Sequence, residues 1–168
     1  MVRRAVRVWI VHHLVTRQVA RVIYGAIIGM ALIVVLEDHP PPPAQVAGEL
    51  VATAFAVSLA ELYSEIVAAE ARARRRVTRD EVVEILEIAL GVAFGIVFPA
   101  VFFVLAAAGA FQVDTAFTAA KWTGVGLIAF YGFSGARLAG ARIPGALLQA
   151  FAVGAIGVAL IGFKALVH

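Results

Sequence analysis

Long apolar runs alternate with short polar breaks along this chain. A membrane span needs about 20 mostly apolar residues. Five stretches approach that: 22–36, 46–69, 88–111, 116–136 and 145–167. The first is short, so Arg21 is expected to snorkel at one end, its stem along the apolar run and its head in water. "EDHPPPP" (37–43) breaks the pattern because four prolines fix φ and remove donors. "RARRRVTRDE" (72–81), "FQVDTAF" around Asp114 and "ARLAGARIPG" around Pro144 break it again. Short connections predict antiparallel neighbours.

Helix two is expected over 44–75. In "TRDE", Thr78 as N-cap and Glu81 three residues on form a capping box, so helix three is expected to start at Arg79 and to run to about 110. Both exceed what a bilayer core of about 30 Å requires. Residues 70–87 should therefore project as a cytoplasmic helical hairpin. Pro99 predicts a kink within the third span.

The arginines orient this pattern. Arg3, Arg4, Arg7, Arg17 and Arg21 precede the first span, a cluster at 72–79 lies between spans two and three, and Arg137 and Arg142 lie between spans four and five. All twelve fall on one side, which places the N-terminus inside and the C-terminus outside. Residues 1–21 set arginines against Val, Trp9, Ile10 and Leu14. They read as a basic amphipathic helix drawn to anionic inner-leaflet lipids, with His12 and His13 either polar residues at the water line or a pH sensor or metal ligands. The expected fold is all-α: a polytopic membrane protein with five transmembrane helices, in one membrane domain over 1–168, in the cytoplasmic membrane.

Composition agrees. The chain is 62% hydrophobic with a mean hydropathy of +0.96, where soluble domains average about 45–50% apolar. With no cysteine, disulfides and thiolate metal sites are excluded. No signal-peptide pattern is expected from the N-terminus. No G-x-x-x-x-G-K-[ST], H-E-x-x-H or G-x-S-x-G occurs, so enzyme activity has no support. The arginines follow membrane topology, which leaves no call for nucleic acid. Gly25 and Gly29, and Gly91 and Gly95, form G-x-x-x-G pairs suited to close helix packing, within the chain or in a homodimer.

Two acids disturb the second run. Ser58, Glu61 and Glu65 sit at i, i+3 and i+7, on one helical face. A carboxylate within the membrane costs at least a few kcal/mol and must be protonated, paired or coordinated. Two of them one turn apart repel, and a shared proton or a bridging divalent cation relieves both penalties. No base lies three or four residues from Glu61, and Lys121 is near the far end of span four. Glu70 continues the acidic face, while Asp80, Glu84 and Glu87 form a stripe on helix three expected to look toward it. Ser58, Glu61, Glu65, Glu70, Glu84 and Glu87 are thus candidate cation ligands. The alternative is that these acids only make salt bridges to the arginines around them.

"AVSLAELYSEIVAAEARARR" (56–75) resembles the second helix of the vacuolar iron transporter family, in which a small residue and a Glu lead into an acidic, basic cytoplasmic run. The tail "GARLAGARIPGALLQAFAVG" (135–154) is similar to that family's fourth-to-fifth connection. The ending also resembles those of small actinobacterial membrane proteins. The family resemblance implies a homodimer exchanging ferrous or manganous ions for protons, and it carries one functional residue across, Glu61. Two functions are expected: a divalent metal cation transporter, proton-coupled if it works in the family's manner, or a non-transporting accessory or assembly subunit.

Overall fold

A computed structural model describes the backbone of residues 2–167 and the side chains of residues 18–162. The side-chain chemistry expected of His12, His13 and the first four arginines lies outside the described residues. Six helices follow one another: α1 Val2–Leu36, α2 Pro43–Ala73, α3 Arg79–Val97, α4 Ala100–Ala107, α5 Val113–Leu138 and α6 Ile143–Val167. The lead-in and the first apolar run form one unbroken helix, α1, rather than two.

Local signals explain the boundaries. Pro43 opens α2, where a helix lacks a partner for its first N–H groups anyway. Thr78 Oγ1 accepts from the Glu81 amide, and Glu81 accepts from the Thr78 amide at 2.7 Å, so α3 begins with the expected capping box. Arg74, at φ 52, ends α2 in a left-handed turn. Pro99 supplies no N–H, and α3 and α4 meet there at a bend of 46°.

By length and apolar composition α1 from Gln18, α2, and α6 to Gly162 are able to cross a membrane. The bent α3–α4 pair makes a fourth when taken as one span. α5 falls short of the five expected because Asp114, Lys121 and Arg137 interrupt 26 residues already rich in Gly and Thr.

The fold is built on a duplication. Positions 70 residues apart match along two stretches: Val22 with Val92, Gly25 with Gly95, Ile33 with Phe103, Val46 with Ala116, Leu50 with Ala120. Each of these is buried together with its counterpart. "VIYG" in α1 becomes "VAFG" in α3. The two halves meet where α1 crosses α3. Gly25 lies on the Val92 backbone and Gly95 on the Val22 backbone, a reciprocal contact, and Gly29 lies on Ile96. The numbers rise together, so the two helices run parallel. A twofold relation thus swaps α1 and α2 with α3–α4 and α5.

This crossing fixes the packing. In lipid no hydrophobic drive presses helices together, and contact area between small residues does the work. α1 packs chiefly on α3 and α5, and α2 on α3 and α4, while α1 and α2 scarcely touch. The core is Ile33, Val46, Leu50, Val92, Ile96 and Phe103 among others, with the Phe103 and Phe117 rings edge to face at 4.9 Å. At one end of the bundle Lys121 of α5 bonds Glu37 just beyond α1, at 2.6 and 2.8 Å.

Candidate functional site

The acidic face of α2 lies at the level of Arg21 in α1. α3 runs beside both helices, and at that level it carries Gly91. A Cβ there would meet the Arg21 Cβ at 3.5 Å, an ordinary contact, so α3 passes directly beside the base of the arginine. From this base the guanidinium reaches α2. Its Nη1 is in direct contact with Glu61 Oε1, and its Nη2 donates to Glu65 Oε1 at 2.7 Å. Arg72 approaches the other Glu65 oxygen at 3.7 Å. The Glu61 side chain is 14% exposed and Glu65 28%. Two carboxylates therefore face two guanidiniums, and the cluster is neutral in sum.

No base lies near Glu61 along α2, and its partner stands on another helix, α1, 44 residues from Glu65, so of the two expectations for Glu61 the structure has the ion pair. Arg21, expected only to snorkel at a water line, is the residue that sequence reasoning missed. Its signal was present: an arginine at the end of an apolar run, close before a small-residue helix contact.

The other candidates are not gathered around this pair. Ser58 Oγ is buried without a hydrogen-bond partner, in a hollow walled by Phe55, Leu59, Leu62, Leu86 and Leu90. Glu70 accepts from the Val77 amide at 3.4 Å and tethers the α2–α3 turn. Glu84 is exposed. Glu87 opens onto a hollow of about 340 Å³ with Gln18, Val22 and Tyr131, which belong to α1 and α5. The acidic stripe of α3 is thus turned from α2. At 100° per residue Leu86, Ala89 and Ala93 take the face toward α2, and that rotates Glu84 and Glu87 away. Among the described residues no three His, Asp or Glu side chains come together in a way that would hold a metal ion.

At the α2–α3 turn, outside the apolar stretches, Arg75 grips Glu81 through both nitrogens, at 2.7 and 3.0 Å. That fork and the Thr78 bonds lower the Glu81 pKa from 4.5 to about 2. Of the hairpin acids expected to pair with arginines, Glu81 is the one shown doing so.

The larger hollows near α2 are lined almost wholly by apolar groups, and none of them contains Glu61 or Glu65. Chemically the arrangement ties α1 to α2 across the edge of α3. No protein-family model, curated protein or solved structure matches this chain.

Proposed function

We propose that this chain is a non-transporting membrane protein, an accessory or assembly subunit, in which the acidic pair of α2 is a structural clasp. In this reading it crosses the cytoplasmic membrane five times with the N-terminus inside, α3 and α4 together forming one span and the less apolar α5 crossing between α1 and α6, on which it packs. One observation carries the proposal: Arg21 occupies the place between Glu61 and Glu65 that a bridging cation would take, and Arg72 completes the charge balance. A neutral cluster has little attraction for a divalent ion. Buried charge is costly unless paired and hydrogen-bonded, and the guanidinium fork supplies both.

The second reading, divalent cation transport, keeps one support. Two carboxylates within reach of a single guanidinium are the donor set a hard cation would use if Arg21 swung aside. The resemblance of 56–75 to the vacuolar iron transporter family points the same way. Proteoliposomes separate the two. With manganous or ferrous ion outside and a pH dye inside, the clasp reading expects no flux above empty vesicles, and Glu61→Gln lowers stability alone. Metal or proton flux in the native chain, abolished by Glu61→Gln, would overturn it in favour of transport.

A further inference from the structure

The duplication gives the clasp a counterpart in the other half. The positions 70 residues on from Arg21, Glu61 and Glu65 are Gly91, Tyr131 and Gly135. Gly91 and Tyr131 line the hollow of about 340 Å³, together with Gln18 of α1 and Glu87 and Phe94 of α3. The clasp lies between α1, α2 and α3, and this hollow between α1, α3 and α5, across the α1–α3 crossing. In the first half Arg21 carries its own guanidinium into the seat. In the second half Gly91 carries no side chain there, and the seat is open. The charges have changed places as well. Glu87 stands where the first half has Arg17, so the second half supplies an acid in place of a base. The side chains of Gln18, Glu87 and Tyr131 have no hydrogen-bond or ion-pair partner among the described residues. Arg21 does not serve Glu87, because Glu61 and Glu65 hold its guanidinium on the α2 side.

We propose that this hollow binds a small organic monocation, a guanidinium or ammonium head on an apolar body, in the place equivalent to the one Arg21 fills. One carboxylate balances one positive charge. The Glu87 and Gln18 oxygens are acceptors for N–H donors, and the Tyr131 hydroxyl can accept as well. Phe94 lies seven residues beyond Glu87 on α3, about 10 Å along the helix, so the far end of the hollow is aromatic and suits an apolar body. A hard divalent ion fits less well, since it needs about six oxygen ligands and no three His, Asp or Glu side chains gather here among the described residues. Soluble cations and lipid headgroup amines share the proposed chemistry. The site stands apart from the clasp, and the proposal holds under either function above.

The test uses the full chain in phosphatidylglycerol nanodiscs. Phenylguanidinium is titrated in by calorimetry, with phenylurea as the uncharged analogue, manganous ion as the divalent comparison and empty discs as the blank. The expected result is saturable binding of phenylguanidinium and none of phenylurea. Glu87 is exposed, so Glu87→Gln should leave the fold intact, and it should weaken binding about tenfold or more. Gly91→Arg, whose Cβ meets only ordinary contacts, tethers a guanidinium in the seat and should abolish binding without loss of stability. Glu84→Gln, one turn away and outside the hollow, should change nothing. Added phosphatidylethanolamine separates the sources: competition assigns the seat to a headgroup amine, and no competition to a soluble cation. Equal losses from Glu84→Gln and Glu87→Gln would reduce the effect to surface charge and overturn the proposal. So would a native chain that binds no phenylguanidinium, tighter binding of manganous ion, or binding that appears only in Arg17→Gln, because the chain would then fill the seat itself.

Discussion

Gly95 sits, with Gly25, at the α1–α3 crossing where backbone meets backbone, and adding one methyl there tests the whole arrangement. An alanine Cβ would lie 2.6 Å from the Ala26 nitrogen and 2.9 Å from the Gly25 carbonyl carbon. Both are backbone atoms, so no rotamer change relieves the clash. Carbon contacts settle at about 3.5–4.0 Å, and opening a gap of about 0.5–1 Å forfeits a quarter to a half of each contact along the seam. Overpacking of this kind costs about 1–3 kcal/mol, and a backbone barrier puts it in the upper half of that range. Alanine returns about 1 kcal/mol through helix propensity. The net loss for Gly95→Ala is then about 1–2 kcal/mol. Gly126→Ala is the control: its Cβ would meet nothing within 4 Å, so it only gains the propensity term. The two variants should differ by about 2–3 kcal/mol, roughly 30- to 150-fold in the unfolding constant. Reversible unfolding in mixed micelles, titrated with dodecyl sulfate, reads this difference. Because the contact is reciprocal, Gly25→Ala should lose about as much as Gly95→Ala. Equal stabilities for Gly95→Ala and Gly126→Ala would refute the crossing as the contact that holds the two halves.

Arg21→Gln should cost about 1–3 kcal/mol, below the ~3–5 typical of a fully buried broken pair because these side chains are 14–30% exposed. Adding Glu61→Gln and Glu65→Gln should recover most of that loss, and strictly additive losses in the same titration would count against a clasp. Lys121→Met should loosen α5 from the end of α1 and lower stability by about 1 kcal/mol, since the pair is only 16% and 28% exposed. The Glu81 pKa is depressed, so its contribution is present above about pH 4.5 and is lost as pH falls toward 2. Protection of the Thr78 amide, which donates to the Glu81 carboxylate, should fall relative to its intrinsic exchange rate across that window, and Glu81→Gln should remove this pH dependence.

What the sequence made legible was local. The proline run, the Thr78–Glu81 capping box and the Pro99 break each act within a few residues, and each was visible as a short string. The apolar runs of α1, α2 and α6 were legible because their length alone matches a bilayer. The environment of Glu61 was not legible, because it depends on which face of α1 turns Arg21 toward α2, and that is set by packing on α3. The stripe Asp80, Glu84 and Glu87 was read correctly as a stripe. Its direction was misjudged because the rotation of α3 is set by Leu86, Ala89 and Ala93, whose contacts lie on α2. The repeat escaped notice because few identities survive between the halves, and it shows in the matched burial of Ile33 with Phe103 and of Leu50 with Ala120.

The sparse contact between α1 and α2 has a consequence for biosynthesis. The first hairpin leaves the ribosome joined only by the ion pairs of Arg21 with Glu61 and Glu65, and its main packing surfaces follow 70 residues later. At translation rates of about 5–20 residues per second, Gly25 and Gly29 stay bare in the bilayer for about 4–14 seconds before α3 arrives. A nascent chain halted at the Arg74 turn would therefore have one cluster of charges to close upon and almost no packed area.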